Sequence, residues 1–245
     1  MKLSFVIPAY NEENYIGNCI GAIIKEMEGK KYDIEIVVVN NASIDRTKEI
    51  AASFDGVKIV DEPRKGLVNA RSAGFFASTG DIIANVDADT RLPEGWIEKV
   101  FHEFSVNRKL VALSGPYLYY DLPKPTLILV RIWYYTSYLI HFFNQFFCKK
   151  GLMLQGGNFV VRRDAMEKIG GFNSKFDFYG EDTDIAIRIR KVGEVKFTFG
   201  LPMYTSGRRF NKEGLLIVGT RYAINHFWTI FFKRPFTKKN IDIRG

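Results

Sequence analysis

Asp87 and Asp89 stand one residue apart where a short apolar run, Asp81-Ile82-Ile83-Ala84-Asn85-Val86, gives out. In an extended chain, residues two apart point the same way, so the spacing predicts two carboxylates facing one small volume. Hard oxygen donors of that kind suit Mg²⁺ or Mn²⁺, and both cations take diphosphate oxygens as further ligands. The same residues would serve as ordinary loop carboxylates, with Asp89 capping a helix that starts near Pro93, and Asp-x-Asp alone is too common to choose between these. A second acidic pair, Glu181-Asp182, opens a run in which Ile185, Ile189 and Val192 share a helical face. At such a position carboxylates offset the helix dipole whatever else they do. A cationic pair, Arg208-Arg209, lies in residues 205–210, which read as a polar loop able to contact an anion or simply to face water.

These groups need a scaffold, and the chain around them alternates strand and helix. Residues 3–7 form a short apolar strand ended by Pro8, and Asn11 caps a helix with Glu12 and Glu13 in its first turn. Ile16, Ile20, Ile23, Ile24 and Met27 recur at helical spacing, with Cys19 at the margin of that face. Residues 34–39 are nearly all β-branched, as in a strand covered on both faces. Further strands are expected at 57–60, 82–86 and 110–114, and helices at 46–54, 66–78 and 93–104, the last with Trp96, Val100 and Phe104 inward. The alternation predicts an α/β fold: a Rossmann-like, mostly parallel sheet with helices on both faces. Polar residues collect at the carboxyl ends of these strands: Tyr10 and Glu12, then Asn40, then Lys65 and Arg71, then Asp87 and Asp89. Ligands of open α/β sheets bind at that edge. No G-x-G-x-x-G follows the first strand and no Walker A sequence is present, which argues against a dinucleotide dehydrogenase or a P-loop enzyme.

The 245 residues suffice for one large domain or a domain with an appendage. The net charge of +8 favours anionic partners without choosing among them. The basic residues are scattered and no nucleic-acid-binding motif occurs, so no nucleic-acid partner is expected. Cys19 and Cys148 have no metal-ligand spacing and suggest no disulfide framework, which fits a reducing compartment. The apolar run before Pro8 is too short for a signal peptide.

Four blocks, in order, resemble the donor half of inverting family 2 glycosyltransferases of the GT-A fold. They are Phe5-Val6-Ile7-Pro8-Ala9-Tyr10-Asn11-Glu12-Glu13, Val37-Val38-Val39-Asn40-Asn41-Ala42-Ser43-Ile44-Asp45-Arg46-Thr47, Gly66-Leu67-Val68-Asn69-Ala70-Arg71-Ser72-Ala73-Gly74, and the Asp-x-Asp. The resemblance implies a nucleotide-sugar donor and a divalent metal. It places Pro8, Tyr10, Glu12, Asn40 and Arg71 in the nucleoside pocket, Asp87 near ribose or metal, and Asp89 on the metal. Where this chain has Asn40, relatives usually carry an acidic residue; an Asn also accepts a hydrogen bond but brings donors. Residues 156–193 resemble the acceptor half. By that resemblance Asp182 is the base that takes the acceptor hydroxyl proton, while Gly157, Asn158 and Glu181 bind or orient the acceptor. Relatives often place a His or an Arg-rich motif where Arg208 and Arg209 stand, and these two are assigned to the diphosphate. His141 and His226 read as interfacial or core residues and receive no role.

The resemblance covers about residues 3–210, and the domain it implies is 1–210: a nucleotide-sugar half (1–115), an aromatic helical insertion (125–150) and an acceptor half (151–210). Residues 211–245 are a helical tail. In the insertion, Ser137, His141, Asn144 and Gln145 form a partial polar stripe, and the charged and polar interruptions argue against a membrane span. In the tail, aromatics at 227–236 are flanked by Lys233, Arg234, Lys238 and Lys239, as in helices that lie in a lipid interface. Both stretches would alternatively pack as core. The expectation is an enzyme peripheral on the cytoplasmic face of the membrane, with a lipid-linked or glycan acceptor. The rivals are a non-catalytic nucleotide-sugar or glycan-binding protein of the same fold and, more weakly, a nucleotidyltransferase.

Overall fold

The computed structural model describes residues 1–147, 153–237 and 241–244, and within the long fifth helix the side chains of residues 137 and 140–147 lie outside the description. The predicted polar stripe of the insertion (Ser137, His141, Asn144, Gln145) therefore lies outside the described residues, as do Cys148, Lys238 and Lys239. In chain order the elements are β1 (Leu3–Ala9), α1 (Ile16–Met27), β2 (Ile34–Asn40), α2 (Thr47–Ala52), β3 (Val57–Asp61), α3 (Leu67–Ala77) and β4 (Ile82–Val86). Next come β5 (Thr90–Arg91), α4 (Trp96–Val106), β6 (Leu110–Ser114), β7 (Tyr117–Tyr119), α5 (Lys124–Phe147), β8 (Asn158–Arg162) and α6 (Arg163–Lys168). The chain closes with α7 (Glu181–Ile189), β9 (Glu194–Phe197), β10 (Met203–Thr205), α8 (Arg208–Glu213) and α9 (Leu215–Phe232).

Seven strands form the main sheet in the order β3-β2-β1-β4-β8-β6-β9. All pairings are parallel except those of β8, which runs antiparallel to both β4 and β6. One apolar layer packs Ile16, Cys19, Ile20 and Ile23 of α1 and Trp96, Val100 and Phe104 of α4 against one face of the sheet. The other collects Val6, Val37, Val39, Ala70, Phe75, Ile185 and Ile189, so α3 and α7 cover the opposite face. A small second sheet, β5-β10-β7, sits beyond the end of β4.

Several local expectations are corrected. Pro8 does not end β1, which continues to Ala9. Leu3 donates to Asp33 O on the β2 side, so by alternation Pro8 turns its nitrogen toward β4, where pairing has already stopped at Val6–Asn85. A residue without an N–H is tolerated where there is no ladder to join. Asn11 does not cap α1. It sits at φ 51°, and its side chain accepts from Ile44 N at 3.0 Å while its own N–H donates to Ser43 Oγ at 3.1 Å. The helix starts at Ile16 with no acidic residue in its first turn, which frees Glu12 for the site. Val192 lies past the end of α7 and is exposed. Residues 205–210 are not a loop throughout, because α8 begins at Arg208.

Candidate functional site

β1 and β4 part after Val6 and Asn85, and the opening between their carboxyl ends is where the acidic residues gather. The chain does not stay extended after Val86. Thr90 donates to Asp87 O from its backbone N–H (3.1 Å) and its hydroxyl (2.7 Å), closing a turn. The two carboxylates consequently take different partners. Asp87 accepts from Arg71 Nη2 and from the Tyr117 hydroxyl, each at 3.0 Å. Asp89 faces Arg208, with Nη2 3.0 Å from Oδ2. The same Nη2 lies 2.5 Å from Glu12 Oε1, and the guanidinium rests 4.4 Å from the centroid of the Tyr15 ring. Burial pushes the Asp89 carboxyl upward against the pull of Arg208, and Asp87 adds to the rise. Burial likewise raises Glu12 to about 7, with Arg208 offsetting part of it.

Arg71 is buried rather than open to a pocket. Its guanidinium bonds Asp87, the carbonyl of Gly156 and the carboxylate of Glu181, and so bridges α3, the turn after β4 and the start of α7. A Cβ on Gly156 would stand 3.6 Å from Asp182 Oδ2, 3.8 Å from Glu181 Oε1 and 3.9 Å from Arg71 Nη1. A Cβ on Gly157 would run into the Asp87 carboxylate and the Tyr117 hydroxyl. The glycine turn thus lets the backbone before β8 pass between the acidic residues of the two halves. Asn158 is sealed in the interior, where its amide donates to Gly115 O (3.1 Å) and Leu201 O (2.8 Å); it holds the frame and presents nothing to the crevice.

Asp182 opens α7 and is partly exposed. Its Oδ1 accepts from Thr183 N at 2.7 Å and from the Thr183 hydroxyl at 3.3 Å, leaving Oδ2 toward Gly156. Burial raises its pKa, and the His226 ring, the Thr183 bonds and Arg71 restrain the rise. A carboxylate moved toward neutrality in this way suits proton acceptance.

At the far strand ends, Asn40 accepts from Ser43 N (3.2 Å) and donates to Asp61 Oδ1 (2.8 Å). The Tyr10 hydroxyl accepts from Lys65 Nζ at 2.6 Å. Pro8 is buried within β1. Arg209 turns away from the acidic cluster: it pairs with Glu213 at 2.9 Å and lies over the Phe178 ring.

The structure therefore brings together Glu12, Arg71, Asp87, Asp89, Gly157, Glu181, Asp182 and Arg208, sets Tyr10 and Asn40 along the same sheet edge, and holds Asn158 and Arg209 apart. Sequence reasoning missed Tyr117, Tyr15 and His226, and assigned Asn41 nothing. Asn41 is buried and fixes the loop after β3 through bonds to Glu62 O (2.9 Å), Arg64 O (2.8 Å) and Gly66 N (2.9 Å). Its place beside Asn40 in a polar turn was the one available signal. Tyr117, Tyr15 and His226 carry no motif of their own. Among the described residues no three His, Cys, Asp or Glu side chains converge as a ready metal cage.

A largely parallel sheet of this order with helices on both faces is the GT-A fold. A model of the family described as Glycosyl transferase family 2 matches residues 4–170, and the chain belongs to that family. A second model, described as the N-terminal domain of galactosyltransferase, matches residues 139–205. Similar curated proteins include the probable glycosyltransferase YdaM of Bacillus subtilis, 30% identical over 78% of this chain and 47% of its own length. Another is the glycosyltransferase AglE of Haloferax volcanii, 31% identical over 69% and 55%. The chain thus spans about half the length of the curated relatives it matches. Among solved structures, the mannosyltransferase PcManGT of Pyrobaculum calidifontis, in complex with GDP-Man and Mn²⁺, superposes with a TM-score of 0.68 at 18% identity, covering 94% of this chain and 63% of that one. TarS of S. aureus, in complex with UDP-GlcNAc, gives 0.63 at 16%, covering 84% and 58%. These two likenesses show the fold.

Proposed function

We propose that the protein transfers a sugar from a nucleoside diphosphate sugar to an acceptor hydroxyl or phosphate in a single inverting displacement. The observation that carries this reading is the meeting of two acidic sets around one turn, Asp87 and Asp89 from the end of β4 and Glu181 and Asp182 from α7, tied together by Arg71, which bonds Asp87, the Gly156 carbonyl and Glu181, with Asp182 Oδ2 beside Gly156. The donor's base and ribose are assigned to the edge lined by Tyr10, Asn40 and Glu12. Arg208 is placed to meet the diphosphate, trading its contacts with Glu12 and Asp89 for phosphate oxygens. Asp182 accepts the proton of an attacking hydroxyl on its free Oδ2; a phosphate acceptor needs no such base.

A divalent cation fits this donor set. Asp87 has both oxygens engaged by Arg71 and Tyr117, while Asp89 is paired with Arg208, and Mg²⁺-type sites commonly use one or two carboxylates completed by substrate phosphates. Asp89 would hold the ion, with Asp87 beside it, and the ion when bound would neutralise charge developing on the leaving diphosphate. The Mn²⁺ and GDP-Man in the complex of PcManGT support this reading.

For the acceptor, exposed apolar stripes on α5 (Ile128, Ile132, Tyr135, Leu139) and α9 (Ile217, Ile224, Phe227, Phe231) support a lipid-linked substrate met at a membrane surface. One relative, 28% identical over 82% of this chain, is the dolichol-phosphate mannosyltransferase of Pyrococcus furiosus. No helix among the described residues is long and apolar enough to cross a membrane, so the contact proposed is peripheral.

The test is thermal unfolding with UDP-, GDP-, CDP- and dTDP-sugars, each with Mn²⁺ or with EDTA, on the wild type and on Asp89→Ala. A ligand that binds only the folded state raises the midpoint. One nucleotide giving a metal-dependent rise that Asp89→Ala removes is the expected result. A folded sample indifferent to all four would overturn the reading.

A further inference from the structure

The catalytic assignment leaves His226 unused, yet its position on α9 is specific. Its Nδ1 is 2.9 Å from the Thr183 hydroxyl, and that hydroxyl is 3.3 Å from Asp182 Oδ1. A carboxylate only accepts, so the hydroxyl hydrogen goes to Asp182 and the hydroxyl oxygen is left to accept from Nδ1–H. The chain of donors runs one way: His226 to Thr183 to Asp182. With Asp182 ionised, this arrangement favours the Nδ1–H tautomer of the neutral ring and leaves Asp182 Oδ2 on the side of Gly156.

The rest of α9 grips the same segment. Arg221 donates to the Tyr179 hydroxyl at 3.2 Å, and the Tyr222 ring meets Tyr179 edge-on at 5.8 Å between centroids. Thr229 is buried and packs so closely on Gly180 that any Cβ there would strike its hydroxyl. Gly180 itself has φ +80°, a conformation that favours glycine, so the bend leading into Glu181-Asp182 is shaped against α9. The matched family models end at residues 170 and 205, and α9 lies beyond both.

We propose that His226 is a positioning residue for the transfer reaction, acting through Thr183 to orient and hold the base Asp182, so that α9 is an integral part of the catalytic site. This inference rests on the assignment of Asp182 above. Facing the His226–Asp182 pair are Thr183 from α7 and, toward Asp182, Glu181 from α7, Arg71 from α3 and Tyr222 from α9. Burial lowers the His226 pKa and the Asp182 charge counters that fall.

The test uses the full chain in four variants: Asp182→Asn, Thr183→Val, His226→Ala and His226→Asn. Ring ¹⁵N shifts of His226, assigned by comparison with His226→Asn, are followed through the neutral pH range in wild type, Asp182→Asn and Thr183→Val. The expected result is a downward move of the His226 titration in Asp182→Asn, and loss of the Nδ1–H tautomer preference in Thr183→Val. In parallel, nucleoside diphosphate release from GDP-mannose and from UDP-N-acetylglucosamine with Mn²⁺ is measured. His226→Ala should lower kcat roughly tenfold, about the rate equivalent of one hydrogen bond, with donor KM unchanged. His226→Asn, which keeps a donor near the Nδ1 position, should recover most of it. A His226 titration and tautomer indifferent to both neighbours overturns the proposal. So does full turnover in His226→Ala alongside an inactive Asp182→Asn. Wild-type turnover in Asp182→Asn instead removes the assignment of the base, and the two failures are thereby told apart.

Discussion

Arg71 and Glu181 form a buried ion pair that ties α3 to the first residue of α7, each side chain almost wholly sealed from solvent (1% and 5% exposed). It joins the half of the sheet edge that carries Asp87 to the half that carries Asp182. Removing one member of such a pair strands a charge in the interior, whereas replacing both by apolar groups is often tolerated. Arg71→Met and Glu181→Met are each expected to cost about 3–5 kcal/mol. The double variant should recover a large part of that. Urea denaturation of the four proteins closes the cycle, and simple additivity of the two losses would show that the pair is not coupled.

Gly157 is the second point of contact between the halves. The space a Cβ would need is filled by the Asp87 carboxylate and the Tyr117 hydroxyl. Gly157→Ala must push Asp87 off Arg71 or displace β7, at an overpacking cost of about 1–3 kcal/mol. Tyr117→Phe removes one obstructing atom and one bond to Asp87, so Gly157→Ala should be less harmful in that background than in the wild type. Thermal unfolding of the single and double variants decides it.

Two glutamates, the buried Glu12 and the half-buried Glu35, should give opposite pH dependences. Burial outweighs Arg208 at Glu12 and raises it from 4.5 to about 7. The folded state then binds more protons than the unfolded one across that interval, so stability falls as pH rises from 4.5 through about 7. Glu12→Gln, neutral throughout, should escape the fall and gain about 1–3 kcal/mol on the wild type above it. At Glu35 burial also opposes ionisation, but bonds from Ser4, Thr79 N and the Thr79 hydroxyl, with Lys2 nearby, win and bring it down to about 2. Its contribution is present above 4.5 and lost as pH falls toward about 2. Glu35→Gln should therefore be less stable by about 1–2 kcal/mol at neutral pH, a figure discounted for partial solvation, and the deficit should vanish in acid. Denaturation curves across pH for both variants read the two signs directly.

The frame was legible because its signals are local. The β-branched run at 34–39 and the helical spacing of Ile16, Ile20 and Ile23 report burial through periodicity alone. Asp87 and Asp89 were legible as candidates because an apolar run stops at them, while Asp182 by itself reads as a helix-opening carboxylate and entered only through the resemblance of residues 156–193 to the acceptor half. Side-chain direction was not. Arg71 reads as a pocket residue by motif, yet the partners that turn it inward, Gly156 and Glu181, come from far along the chain. Asn11 reads as a helix cap, but the polar turn at Ser43 and Ile44 competes for the same side chain and wins. His226 is 43 residues from Thr183, with no pattern linking them, so only the packing of α9 on α7 shows the relation.

The outer face of α9 presents Ile217, Ile224, Phe227 and Phe231 to solvent, with Phe231 71% exposed, and Lys233 and Arg234 follow at its end. An apolar stripe with cations at its margin matches an anionic bilayer, in which the rings enter the interface and the charges meet headgroups. Phe227→Ser with Phe231→Ser should weaken partition onto vesicles containing phosphatidylglycerol by at least about tenfold, since even partial burial of a ring contributes about 1–2 kcal/mol. Lys233→Gln with Arg234→Gln should lose about 1 kcal/mol per charge on the same vesicles and nothing on neutral ones, and added salt should reduce the wild type toward the charge variant. Co-sedimentation over a range of lipid concentrations measures all three. Wild-type partition in the serine double variant would show that α9 does not make the contact, and the exposed stripe on α5 would be tested next.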